Sequence, residues 1–257
     1  MKKAFINCIF LLAAVSFCSG EKIASFEDNY KAPCVLFVDD SQVYIMEYSL
    51  LKILIYDRKS FRKVGEFGSK GQGPAEFIGI PDISFSSDCI YVSSYPKLCI
   101  FSKKGKLINE IKGPPGCGSF RPMSNFFVGV SYPDNNPKDN IIKIQFSLFN
   151  LKLEKKKDFF LAELKKRSVY NGKKFVLTWF ACTLDSVVYK DRLYIGDTQK
   201  GFYFVVYDSK GKRLYEINRD YEKRKVTKKE KIEFMEEFRK HWGKRWNDYK
   251  QSYEDKF

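Results

Sequence analysis

Four stretches of this chain repeat one pattern, and nothing else in it restricts the fold as strongly. Each reads as an apolar strand, a short turn, a second strand ending in a small polar residue, then a turn and a third strand. They are "QVYIMEYSLLKILIYDRKSFRKVGEF", "DCIYVSSYPKLCIFSKKGKLINEI", the more divergent "NFFVGVSYPDNNPKDNIIKIQFSLFNLKLEKKKDFF", and "DRLYIGDTQKGFYFVVYDSKGKRLYEI". Aligned on the end of the second strand, Asp57, Ser102, Asn150 and Asp208 fall in register, at intervals of 45, 48 and 58 residues. Repeats of about 40–50 residues that each yield several antiparallel strands read as β-propeller blades. A β-sandwich is the alternative, but it would not require the repeated aromatic–Asp/Ser–turn register. Alternation of Tyr203, Val205 and Tyr207 with Phe202, Phe204 and Val206 predicts a last blade covered on both faces.

The most unusual local stretch is "GEFGSKGQGPAEF", residues 65–77, between the last strand of the first repeat and "PDISF", the inner strand of the second. A phosphate-binding loop would need a helix directly after it and, in its commonest form, Gly-Lys-Ser/Thr. Here Gly73 is followed by Pro74, Pro81 comes soon after, and GxGxxG spacing is absent. The glycines are therefore expected to supply positive φ angles and close packing where the chain crosses between blades. Phe67 and Phe77 are expected to wedge into the interblade core.

This stretch, preceded by "VYIMEYSLLKILIYD", closely resembles a family of exported bacterial six-bladed β-propellers related in pattern to NHL-repeat proteins. The family signature Gly-x-x-Gly-x-Gly-Pro-x-Glu-Phe is matched by Gly68, Gly71, Gly73, Pro74, Glu76 and Phe77, and a looser likeness covers roughly residues 35–220. The resemblance implies a propeller fold and a secreted or lipid-anchored protein, with no assigned activity. It also implies six blades where four repeats are counted, and hence a relative shortened at its C-terminus. Beyond the fourth repeat, Thr227 and Glu230 form a capping box. Ile232, Met235, Phe238, Trp242, Trp246, Tyr249 and Tyr253 then make one stripe of an amphipathic helix, weakened by Gly243 and expected to pack on the last blade.

The N-terminus, "MKKAFINCIFLLAAVSFCSGEK", has a basic start and an apolar stretch from Ala4 to Phe17, too short to span a bilayer comfortably. A secretory signal over residues 1–20 fits it, with a retained anchor as the alternative. "VSFC" resembles a bacterial lipobox that would place a diacylglycerol on Cys18, although Phe17 departs from the usual small residue; cleavage after Gly20 fits equally. Either route leads to the periplasm or cell surface, with the membrane touched only through a lipid anchor.

The chain carries a formal charge of +15, with nine Lys and Arg against three acids in residues 151–174 and twelve against eight in 221–257. Those lysines sit in turns such as "LEKKKD" and "NGKK" without a recognition-helix pattern, so no nucleic-acid partner is expected. Attraction to anionic envelope polymers, or solubility, accounts for the excess. Cys34, Cys89, Cys99, Cys117 and Cys182 show no CxxC spacing, and folding the hairpin at Pro96 places Cys89 opposite Ser102 rather than Cys99. The one histidine, His241, lies in the helical tail, and no Gly-x-Ser-x-Gly elbow exists. "PDNNPKDN" (133–140) lacks the glycine and glutamate of a calcium loop, and Asp39 with Asp40 reads as a turn.

The expected protein is therefore all-β: a β-propeller of six-bladed type with about four blades over residues 21–220, then a basic amphipathic helical segment over 221–257. Its expected function is non-catalytic, propeller-face loops holding an envelope protein, peptide or glycan, with no cofactor and no metal. The alternative is a metal-dependent hydrolase or lyase using at least three Asp, Glu or Asn side chains in a central channel.

Overall fold

A computed structural model describes residues 33–133, 141–165, 168–170, 175–177, 184–220, 222, 224 and 227–242. The signal segment with Cys18, the 134–140 stretch, Cys182, Trp246, Tyr249 and Tyr253 lie outside the described residues.

The strands assemble into four four-stranded antiparallel sheets, each a sequence-consecutive meander. Blade 1 is β1 (Pro33–Val38), β2 (Gln42–Glu47), β3 (Lys52–Asp57) and β4 (Lys63–Phe67). Blade 2 is β5 (Asp82–Phe85), β6 (Cys89–Ser94), β7 (Lys97–Ser102) and β8 (Leu107–Lys112). Blade 3 is β9 (Cys117–Met123), β10 (Phe126–Ser131), β11 (Ile141–Phe149) and β12 (Lys155–Lys165). A two-stranded pair, β13 (Ser168–Tyr170) with β14 (Phe175–Leu177), follows. Blade 4 is β15 (Leu184–Tyr189), β16 (Arg192–Asp197), β17 (Phe202–Asp208) and β18 (Arg213–Arg219). The three-strand repeats of the sequence are the outer parts of these blades, each with an inner strand added in front.

Successive blades pack face to face, which makes the array a β-propeller with four blades among the described residues. Tyr44, Met46, Ile53 and Ile55 of blade 1 share one buried cluster with Ile90, Val92, Cys99 and Phe101 of blade 2. Leu98 of blade 2 meets Phe120, Phe127 and Phe149 of blade 3, and Phe146 and Leu148 of blade 3 meet Leu193, Ile195 and Val205 of blade 4. Burying such side chains contributes about 1.5–3 kcal/mol each, so the three interfaces outweigh any local propensity.

The aligned positions are the start of one recurring turn. The backbone N–H of Asp57, Ser102, Asn150 and Asp208 donates to the carbonyls of Arg62, Lys106, Glu154 and Lys212, at 2.9, 2.8, 3.0 and 3.0 Å. In every blade the register slips beside this turn, and a left-handed residue follows: Phe61, Gly105, Leu153 and Gly211. This is the bulged hairpin turn that favours glycine; two blades use it, and in blade 3 the burial of Leu153 offsets the strain.

Two expectations are corrected. The far face of blade 4 is not covered: Val187 is 57% and Tyr189 58% exposed, with Phe202 and Ile217 also open beside a buried Val206. The other face, Val205 and Tyr207, is buried on blade 3 as expected. The helix α1 (Lys228–Trp242) is present, and on the expected stripe Ile232 is 50% exposed rather than packed as core while Met235 is half-buried. The side chains of Phe238, His241 and Trp242 lie outside the described residues.

The capping box closes α1. Thr227 N–H and hydroxyl donate to Glu230 at 2.8 and 2.9 Å, and Glu230 N–H donates back to the Thr227 hydroxyl at 3.3 Å. The Thr227 amide, then Arg224, hold the Glu230 carboxyl down to about 2 from its usual 4.5. A depressed carboxylate stabilises where it is ionised, so this cap is fully present above pH 4.5 and is lost as pH falls through 2. Helical ellipticity is expected to fall over that window, and Glu230→Gln to flatten the fall. No described helix is long and apolar enough to cross a membrane.

Candidate functional site

The four inner strands and the first turns of blades 2, 3 and 4 line a cavity of about 620 Å³. Phe37 of β1, Phe85 of β5 and Val187 of β15 line it, together with Arg121 of β9 and Tyr91 of β6. Ser86, Ser124, Lys190 and Asp191, from the first turns of blades 2, 3 and 4, complete the wall and place the cavity at that end of the propeller. The inner strands lie nearest the axis, so consecutive residues of β5 (Ile83, Ser84, Phe85) and of β15 (Ser186, Val187, Val188) line the space together.

Polar contacts tie the blades together around the space. Arg121 of blade 3 meets Asp82 of blade 2 at 3.0 Å and donates to the Ser119 hydroxyl at 3.1 Å, while Ser119 itself donates to Asp82. Ser93 accepts the Phe120 amide at 2.9 Å. Between blades 3 and 4, Ser124 N–H donates to Asp191 at 2.9 Å. The guanidinium is thus held in place by its own partners, leaving its orientation fixed before any ligand arrives.

An aromatic box closes one side. Phe37 and Phe85 stack at 4.5 Å, Tyr44 lies 5.3 Å from Phe85, and the Lys103 ammonium sits 4.5 Å over Phe37 and 5.2 Å over Phe85. Asp39 faces the same ammonium at 3.6 Å. Burial opposes ionisation of Asp39, but donors from Ser41 and Gln42 outweigh it and hold the carboxyl below its usual range. Burial and the Asp39 charge push the Tyr44 phenol up. Asp39 is thus the acceptor of its own turn, and Asp40 pairs with Arg58 at 3.7 Å.

The glycine-rich stretch lies at the opposite end and joins blades 1 and 2. Gly68 has φ +84°, and a Cβ there would collide with the Phe77 ring and reach 3.1 Å from the Leu51 carbonyl. A Cβ on Gly71 would collide with the Glu76 carboxyl, which accepts the Gly73 amide at 2.7 Å. Lys97 of blade 2 reaches Gly73 O, next to Pro74, at 2.6 Å and Glu110 at 2.9 Å. Phe77 is fully buried against Phe101 and Phe67.

Cys89, Cys99 and Cys117 are free thiols, and Cys89 pairs in register with Ser102. Among the described residues no three His, Cys, Asp or Glu side chains gather as a metal-ligand set. The cavity residues themselves were not legible as a site. "DISF" reads as the inner strand of the second repeat but carries no pattern that marks a site, and "CGSFRPM" is mixed and interrupted by Gly118 and Pro122.

Residues 156–238, less than half of the chain, match a family model described as the CPSF A subunit region. No curated protein matches the sequence. Among solved structures, a Bacteroides fragilis protein thought to be exported is 11% identical, with 76% of this chain and 73% of that one covered and a TM-score of 0.42. The β-propeller domain of Cps50 (Swd1) from Myceliophteria thermophila is also 11% identical, covering 75% and 58%, at a TM-score of 0.42. Kluyveromyces lactis Hsv2p is 14% identical, covering 71% of this chain and 49% of its own, at a TM-score of 0.33. The chain thus spans about half the length of that last structure. At such similarity the propeller assignment stands on the four stacked meanders themselves.

Proposed function

We propose that this chain is a non-catalytic binding module of the bacterial cell envelope, exported through residues 1–20 with or without a lipid on Cys18. It belongs to the six-bladed class that its repeat pattern resembles. The blades of residues 21–220 form the platform, and the end bearing the first turns holds a segment of protein, peptide or glycan. The 68–77 loop acts only as the link between blades. One observation supports this reading above others: a cavity walled by aromatic rings and serines, with a pre-oriented guanidinium at its edge, built from the inner strands.

The purified chain applied to glycan and peptide arrays tests it. A ligand found there is expected to lose about 10–100-fold in affinity on Arg121→Met, the loss of one charge-assisted contact. Thermal stability of the variant serves as the control for folding. No binder on any array, or a binder indifferent to Arg121→Met and Lys190→Met, overturns the proposal.

A further inference from the structure

The four third turns, which join the third and fourth strands of each blade, share more than a hydrogen-bond pattern. Their sequences are "DRKSFRK" (57–63), "SKKGK" (102–106), "NLKLEKKK" (150–157) and "DSKGKR" (208–213). Two residues after each aligned position stands a lysine, Lys59, Lys104, Lys152 and Lys210, and all four are exposed. In three blades the amide of that lysine is pinned by the side chain that opens the turn. Lys59 donates to Asp57 at 3.1 Å, Lys152 to Asn150 at 3.1 Å and Lys210 to Asp208 at 2.9 Å. The turn therefore fixes the backbone and leaves the ammonium at its tip.

Antiparallel meanders put first and third turns at one end of a blade, and the interblade contacts put these ends together. The Tyr44 hydroxyl of blade 1 donates to Lys103 O in the third turn of blade 2 at 3.3 Å, and Asp191 of blade 4 holds the blade 3 first turn. The site of Gly211 in blade 4 lies against Leu148 and Phe159, beside the third turn of blade 3. All four lysines thus surround the end at which the cavity lies.

The charge is polarised along the axis. The third turns with their flanking strand residues carry fourteen Lys and Arg against three carboxylates, and the first turns at the same end add Asp39, Asp40, Asp88 and Asp191 against Lys190, whereas the second turns at 48–51, 95–96 and 198–201 carry only Lys200. Some of the excess is compensated locally, as in Arg58 with Asp40 and Lys156 with Glu154 at 3.3 Å. Surface pairs of this kind are weak and well screened, and the tip lysines still dominate the rim. A field of one sign around a concave, serine- and aromatic-lined space favours a polyanion whose units can also stack and hydrogen-bond.

We infer that this end of the propeller is a docking surface for an acidic polysaccharide, whose carboxylates pair with the ring of tip lysines while a sugar unit enters the cavity. The inference rests on the reading above only in taking this end as the binding face. A sugar polymer fits better than a lipid surface because the third turns expose a single large aliphatic side chain, Leu151, which offers little to insert.

Binding of the full chain to labelled polygalacturonate tests it, with neutral dextran, phosphatidylglycerol vesicles and duplex DNA as competitors. Polygalacturonate is expected to bind with an affinity that falls steeply between low and moderate salt, and dextran not to bind. The combined change of Lys59, Lys104, Lys152 and Lys210 to Glu is expected to cost at least about 100-fold. Lys70→Glu with Lys200→Glu, at the opposite end, is expected to leave affinity unchanged, and a matching urea midpoint shows that each variant folds. Absence of polygalacturonate binding, preference for the vesicles or the DNA, or an equal loss in the opposite-end variant overturns it. An array ligand that depends on Arg121 while polygalacturonate does not bind removes this inference and leaves the cavity reading standing.

Discussion

Phe77→Ala is expected to lower the free energy of unfolding by about 3–5 kcal/mol, read as a reduced urea midpoint at unchanged m-value. The ring is fully buried and meets Phe101 edge-on at 6.2 Å, so its removal leaves a cavity between blades 1 and 2 as well as lost transfer energy. Two backbone bonds fix its place: Phe77 N–H donates to Ser69 O at 2.7 Å, and Gly71 N–H donates to Phe77 O at 3.1 Å. The loop around it cannot collapse freely, because Glu76 and Lys97 hold its amides and carbonyls from both sides. A loss below about 1 kcal/mol would mean that the glycine stretch is an ornament on blade 1 rather than the joint between two blades. Gly68→Ala probes the same joint from the other side, since the added methyl would have to displace the ring that Phe77→Ala deletes.

The outer three strands of each blade were legible because their residues satisfy two demands at once. Tyr44, Met46, Ile53 and Ile55 alternate along β2 and β3 and also bury on a neighbouring blade, so the pattern is strong. Asp57, Ser102, Asn150 and Asp208 were legible for a different reason, since each opens the same bulged turn and only short polar residues cap it well. The inner strands share no common signature: β1 carries the apolar run "CVLFV", "DISF" was readable as the inner strand of the second repeat, but "CGSFRPM" is mixed and β15 alternates between exposed and half-buried positions. Arg121 and Asp82 lie 39 residues apart in different repeats, and their pairing at 3.0 Å depends on the angle between blades, which local sequence does not encode. The far face of blade 4 misled for the opposite reason. Phe202 and Phe204 have the composition of an interblade face, yet composition reports what a strand can bury and not whether a neighbour stands there. The tip lysines were visible at fixed spacing all along; what sequence could not supply was that four turns share one end.

Leu193→Ala is expected to cost about 2–5 kcal/mol, and to add to Phe77→Ala within about 0.5 kcal/mol in the double variant. Leu193 is fully buried on β16, in register with Tyr207, and packs among Met123, Val128 and Phe146 of blade 3. Its cluster shares no residue with that of Phe77, and the blade 2–blade 3 cluster of Leu98, Phe120 and Phe149 lies between them. Separate clusters with no common partner couple weakly, which is the condition for additivity. Blades that touch only their neighbours also set a limit on cooperativity, as in other stacked repeats. If the interfaces are comparable in strength, urea unfolding of each single variant remains one transition with the wild-type m-value. A second transition in Leu193→Ala, with a smaller m-value at low urea, would instead show blade 4 detaching first. In that case the exposed Val187 and Tyr189 face would belong to the weakest blade of the array, and the cavity would open from that side.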